Sequence, residues 1–284
     1  MNLNNEKIGC SEDDYERIKL KGLLSQSHVE IIYLLQKYKL LTEDMFCILM
    51  DKELSEVQSY LTSLVSFGLV VKQFYSFNER NIVGSSVLFY SVVSELPGEL
   101  CDLNKKNDFV WTRELSMDVA MEILSFNKFY IAFTRNIPRW AYQAQTDYKV
   151  RDALIDGRFV LKSRTFYLGY SHMFVLSVRD CAKQKERMMD CLRKAKKTFE
   201  YSDKKMPWFV LICESKGQAA MINSDIKADR ELEGILFYFI MDQELSFYEN
   251  PLHFLKSIHF MNGGAKIQEQ DHSILDETWF KRKK

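Results

Sequence analysis

The sequence predicts a chain of mixed α+β and α/β class, with a helical head ending in a β-hairpin and an α/β layer behind it. Two observations carry the prediction. Within residues 25–96, three helix-period apolar patterns precede two apolar strand patterns around a polar loop. Within residues 107–262, apolar runs of strand length alternate with helix patterns, the signature of helices packed on a parallel or mixed sheet. Residues 1–24 are expected to form an arm or leading helix, and residues 263–284 a polar basic tail.

In chain order, Asn2–Leu20 is polar with a weak helical pattern at its end. Ser25 or Ser27 is placed to cap a helix over His28–Lys39, whose Val29, Ile31, Ile32, Leu34, Leu35 and Tyr38 make a wide apolar face. Thr42 opens a second helix, Thr42–Met50, and a third runs over Ser55–Ser66 with Gly68 at its C′ position. Leu69–Phe74 and Val87–Val93 read as strands around the loop Ser76–Ser86. Three helices and a hairpin in this order form a winged helix-turn-helix. Its third helix exposes Ser55, Glu56, Gln58, Ser59, Thr62 and Ser63 and has no cation. Between Gln26 and Val71 stand three basic residues against six acidic ones. DNA contact by this domain therefore rests on Gln58, Ser59, Thr62, Lys72 and Arg80, or else the domain is a homodimerisation or protein-partner module.

Pro97-Gly98 and the charged run Asp102–Asp108 mark the boundary. Beyond it the patterns predict a helix over Thr112–Phe126, a strand over Phe129–Phe133 and an irregular segment over Arg135–Asp152. That segment interleaves Trp140, Tyr142 and Tyr148 with Arg139, Lys149 and Arg151, a composition that either stacks on bases or covers a sheet. Asp156-Gly157 reads as a turn between short strands, and Phe166–Gly169 and Met173–Val178 read as further strands. Met188, Leu192, Ala195 and Phe199 define one stripe on a helix over Cys181–Glu200. Trp208–Cys213 and Gly234–Ile240 are continuous apolar runs, read as strands buried on both faces, with a polar helix over Gly217–Leu232 between them. Asn250-Pro251 opens a last amphipathic element, Leu252–Phe260.

Net charge is zero, so bulk electrostatics do not attract nucleic acid, but its distribution is uneven. Arg179–Lys205 holds ten basic residues against five acidic ones. Lys183, Lys185, Arg187, Arg193, Lys194, Lys196 and Lys197 lie on its helix, placed either to neutralise phosphates or to form a solvated face. Six scattered cysteines and five histidines show no ligand spacing, so neither a metal nor another cofactor is expected. The polar, acidic first residues lack a secretory pattern, and no apolar run reaches the about 20 residues of a membrane span, so a cytoplasmic protein without a membrane partner is expected.

The winged-helix order, Asp156-Gly157 in the strand region, the strand Phe174–Arg179, the basic amphipathic helix and the strand Phe209-Val210-Leu211-Ile212 together resemble the replication-relaxation family of plasmids and conjugative elements. That family is similar to mobilisation relaxases with a restriction-endonuclease-like core. The resemblance implies DNA as the partner and a role in replication, transfer or transcription control of a mobile element. It maps Asp156 onto the first acidic position of the core and Phe174–Arg179 onto the strand carrying the second. Ser177 stands where a carboxylate is expected and Arg179 where another acid is common, so the core reads as degenerate and non-catalytic. The alternative is a Mg²⁺-dependent nickase using Asp156, Glu214 and Lys216, since Glu214-Ser215-Lys216 has the Glu-x-Lys form at a strand end.

Overall fold

The structure is a computed structural model that describes residues 10–76, 86–93, 96–101, 116–150, 153–162, 170–179, 181–200, 207–261 and 264–269. The chain divides into two compact units, Met1–Ala120 and Met121–Lys284.

The first unit opens with α1 (Glu12–Leu20), whose N-terminus is closed by Ser11: its Oγ accepts the Asp14 N–H at 3.2 Å. Three helices follow, α2 (Gln26–Tyr38), α3 (Glu43–Met50) and α4 (Leu54–Ser66). Their buried faces are led by Ile31, Ile32, Leu35, Phe46, Val57, Leu61 and Leu64, and that of α2 is the one expected from the period of its sequence. Thr42 caps α3, and Asp51 ends it in the left-handed region (φ 52°). Gly68, at φ 70°, lets the chain leave α4 and enter β1 (Val70–Ser76), which pairs antiparallel with β2 (Ser86–Val92) from Val70↔Val92 to Ser76↔Ser86. Leu41, between α2 and α3, makes a further antiparallel bridge to Tyr90 of β2. A short helix, α5 (Gly98–Cys101), is held by Lys19 on Glu99 at 2.6 Å and by the Gln36 amide on the Leu100 carbonyl.

Among the described residues, the second unit is built on one sheet of seven strands whose spatial order follows the chain. After α6 (Met117–Asn136), β3 (Tyr142–Val150), β4 (Ala153–Lys162) and β5 (Tyr170–Val178) form an antiparallel meander. The helix α7 (Cys181–Glu200) then leads to β6 (Trp208–Cys213), parallel to β5, and α8 (Lys216–Ala228) leads to β7 (Leu236–Met241), parallel to β6. The final strands, β8 (Lys256–Met261) and β9 (Gly264–Glu269), return antiparallel. Alternation along β6 sorts two cores: Phe209, Leu211 and Cys213 pack with α7 and α8, while Trp208, Val210 and Ile212 pack with α6. Every residue of β6 is buried, as its continuous apolar run demands. No helix among the described residues is long and apolar enough to cross a membrane.

Several expectations are corrected. Gly234–Ile240, read as buried on both faces, is β7, whose first half is not: Leu236 is 62% exposed and Phe237 and Tyr238 are half-buried. Phe129–Phe133, expected as a strand, lies inside α6. Its i, i+4 pair Phe129 and Phe133 stacks at 5.8 Å and buries against Phe159, so tertiary packing overrides the β preference of the aromatics. Asp156-Gly157 is not a turn but lies within β4, where Gly157 pairs with Thr146 and Val175. The glycine serves close packing: a Cβ there would stand 2.6 Å from the Phe126 ring. Arg135–Asp152, expected as irregular, supplies the end of α6, a tight turn over Arg139–Ala141 and strand β3, with Trp140 and Tyr142 packed over the α6-side core. Leu252–Phe260 divides into a turn capped by Asn250 and the start of β8, and Gly264–Glu269, placed in the tail, is β9. The strand expected at Phe166–Gly169 and the tail from Gln270 onward lie outside the described residues.

Candidate functional site

The parallel strands β5, β6 and β7 run in register through Val178, Cys213 and Met241. The next residue of each is charged: Arg179, Glu214 and Asp242. Parallel strands therefore deliver three ionic side chains in a row at their carboxyl ends, the edge where open α/β sheets hold their sites. The Arg179 side chain is 5% exposed. Its Nη1 lies 3.4 Å from Glu214 Oε1, and its Nη2 donates to Asp242 Oδ2 at 2.6 Å and to the Ser125 hydroxyl of α6. Around this cluster, the Gln218 side chain accepts the Glu214 N–H at 2.7 Å and donates to the Val178 carbonyl at 3.3 Å, tying the ends of β5 and β6 together. Lys128 of α6 donates to the Asp242 carbonyl at 3.1 Å.

The residues proposed for a nuclease divide. Asp156 lies where β4 stops pairing with β5, and its Oδ2 accepts the Ser177 N–H at 2.6 Å, so it replaces a missing ladder bond. Glu214 faces Arg179. Lys216 is the first residue of α8 and is exposed. Carboxylates clamped on a buried guanidinium do not fit a divalent metal ion. Among the described residues, no group of three or more His, Cys, Asp or Glu is arranged to hold one.

The cations of α7 are mostly engaged. Lys185 pairs with Asp225 at 2.6 Å, Arg193 with Asp229 at 2.7 Å and Lys197 with Glu231 at 2.7 Å. Lys196 donates to the Glu233 carbonyl at 2.8 Å, and Lys194 pairs with Asp190 one turn earlier in α7 at 2.7 Å. The hydrogen bond to Asp229 raises the Arg193 guanidinium above its ordinary value. Burial pushes the Asp229 carboxyl up, but Arg193 and the Glu231 N–H outweigh it and hold it below the usual value. Arg187 is exposed; the Lys183 side chain lies outside the described residues.

On α4, Gln58, Ser59 and Thr62 are exposed. Gln58 donates to Glu43 Oε2 at 2.7 Å, and the Tyr90 hydroxyl donates to Glu43 Oε1 at 2.6 Å. Burial and this bond to Glu43 push the Tyr90 phenol above its ordinary value. Thr62 turns its hydroxyl back onto the Gln58 carbonyl at 2.7 Å. Lys72 Nζ stands 5.9 Å from the centre of the Tyr90 ring, and Arg80 lies outside the described residues.

Sequence reasoning singled out Arg179 only as a departure from an acidic pattern, and it missed Asp242, Ser125 and Lys128. One signal pointed there: three apolar strand runs each end in a charged residue, at Arg179, Glu214 and Asp242. Comparison with known protein families, curated proteins and solved structures finds no match.

Proposed function

We propose that this chain is a DNA-associated, non-catalytic protein of a plasmid or other mobile element, acting in replication, transfer or transcription control. The observation that carries the reading is the Arg179 guanidinium held between Glu214 and Asp242. The second unit runs helix, three antiparallel strands, helix, then a strand parallel to the third, an order that supports the reading of a restriction-endonuclease-like core. In such a core a metal would stand among carboxylates; here a fixed organic cation stands between two of them, and it offers neither a coordination site nor an activated water. In the first unit, α2, α3, α4 and the β1–β2 hairpin, with the Leu41–Tyr90 bridge, support a winged helix. The resemblance to the replication-relaxation family rests on these two orders together.

The surface proposed to meet the phosphates is α7, through Lys185, Arg187, Arg193, Lys194, Lys196 and Lys197. The pairs Lys185–Asp225 and Lys197–Glu231 are open to solvent, and pairs of that kind are worth about 0–1 kcal/mol, so phosphates compete with the carboxylates; Arg193–Asp229, with Asp229 12% exposed, is more covered. The test is an electrophoretic shift of random duplex DNA at low and moderate salt, with and without Mg²⁺, together with a nicking assay on supercoiled plasmid. Salt-sensitive binding without nicking is expected. Failure to bind at low salt overturns the association with DNA, and Mg²⁺-dependent nicking overturns the non-catalytic assignment.

A second reading is favoured by α4. Its exposed Gln58 is locked on a carboxylate and its Thr62 hydroxyl on its own helix, so little is left to read a base edge. The first unit then binds a protein, another copy of the chain included. Removing residues 1–96 leaves the DNA shift unchanged on this reading and abolishes it if α4 reads DNA.

A further inference from the structure

Lys185, Arg193 and Lys197 are spaced eight and four residues apart, so they fall within about a third of the circumference of α7. That flank faces a short acidic strip. Asp225 comes from α8, Asp229 from its C-terminal cap and Glu231 from the turn Arg230–Leu232. Each cation meets its own acid at 2.6–2.7 Å, and Lys196 adds its bond to the Glu233 carbonyl. The Lys185 and Arg193 pairs border an open cleft of about 560 Å³ between α7 and α8, which Arg230 also lines. The pairs are therefore not sealed in a core; solvent and a competing anion reach them.

We infer that the acids Asp225, Asp229 and Glu231 are an intramolecular competitor for the nucleic-acid surface of α7, occupying its cations in the absence of DNA. The inference rests on the proposed association with DNA through α7 and names how that surface is regulated. For α7 to engage a backbone, each cation exchanges a carboxylate for a phosphate, and each carboxylate released stands beside the incoming polyanion. Both effects weaken binding, and both vanish when the acids lose their charge. The acids thus hold the affinity of α7 down and leave it open to adjustment by anything that draws them away.

The test uses the full chain and random duplex DNA over a series of salt concentrations. The triple variant Asp225→Asn, Asp229→Asn, Glu231→Gln removes the competing charges, and the amide oxygen at position 229 still accepts the Glu231 N–H that the native carboxylate accepts. A control triple, Asp13→Asn, Glu16→Gln, Glu53→Gln, removes the same charge from exposed positions of the first unit. The competitor triple is expected to bind roughly tenfold tighter than the native chain, as the release of two solvent-open pairs and one part-buried pair allows. Its dependence of log K on log salt steepens by about 0.9 for each phosphate newly engaged. An equal gain in the control triple, or no gain in the competitor triple while the native chain binds, overturns the inference and leaves DNA association standing. No salt-sensitive binding by any of the three overturns both. Should the triple not fold, Glu231→Gln alone is expected to give the same direction, about threefold.

Discussion

Arg179 and Asp242 meet at 2.6 Å although their strands, β5 and β7, are separated in the sheet by β6. The guanidinium reaches across the end of the central strand and on the way lies 3.4 Å from Glu214, which follows that strand. One cation thus joins the carboxyl ends of three strands. The arrangement has a direct energetic consequence.

Arg179→Met removes the cation and leaves two carboxylates facing each other at the sheet edge. Breaking a buried pair by deleting one partner costs about 3–5 kcal/mol. Glu214 is 33% and Asp242 22% exposed, so water screens part of this, and a loss of about 2–4 kcal/mol is expected in urea unfolding at pH 7. The double variant Arg179→Met, Asp242→Asn is expected to recover about half of it. Native stability in the single variant would show that the cluster does not hold the strand ends.

The His28 imidazole accepts the Ser25 N–H at 3.0 Å on Nδ1, and the ring packs edge-on against Tyr60. Burial pushes its pKa below the ordinary value of 6.5. The folded state therefore binds a proton less readily than the unfolded state. The stabilising contribution of the neutral ring is complete above the unfolded value and is lost as pH falls through the lower folded one. His28→Gln keeps an acceptor for the Ser25 N–H in the manner of a capping box but does not titrate. Its melting temperature is expected to be lower than native at pH 7.5 and to fall less steeply between pH 6.5 and 5. Parallel profiles for the two proteins would remove His28 as the source of the slope.

Gly157 is required by the approach of α6 to β4. Gly157→Ala places a methyl group 2.6 Å from Phe126 Cε2 and Cζ and 3.1 Å from Phe159 Cε2, in a core filled by aromatic rings. Overpacking of this kind costs about 1–3 kcal/mol. Adding Phe126→Leu opens room and is expected to restore part of the stability. A Gly157→Ala protein as stable as the native chain would mean that the rings shift freely.

Lys256 is 5% exposed and meets Glu244 at 2.5 Å where β7 and β8 join at the pair Phe239↔Lys256. Lys256→Ala deletes both the charge and the packed stem, and about 3 kcal/mol of destabilisation is expected. Lys256→Met with Glu244→Gln is expected to be milder, because an apolar stem and a neutral amide leave no buried charge unpaired. If the double variant is the less stable one, the ion pair itself anchors β8.

Much of the fold was legible because its causes are local. The stripes of α2 and α7, the cap at Thr42, the glycine after α4 and the apolar runs of β6 and β7 act within a few residues, so their period and their punctuation are printed along the chain. Phe129–Phe133 was misread because a short aromatic run satisfies both periods, and its packing on Phe159 of β4, distant in sequence, goes with the helix. Asp156-Gly157 was misread for a similar reason: glycine marks a turn by its freedom, but here it is needed for its missing side chain, under Phe126.

By itself the sequence determined two folded parts, the apolar faces of α2 and α7, the buried run of β6 and the presence of a basic helix, since these follow from local apolar spacing. Only the tertiary structure decided which charges meet. Arg179 and Asp242 are 63 residues apart, and Lys185 and Asp225 are 40 apart, distances over which no local pattern speaks. The register of the parallel strands brings the first pair together and the packing of α7 against α8 the second. Electrostatic energy depends on separation in space and on burial, and both are set only when the sheet closes.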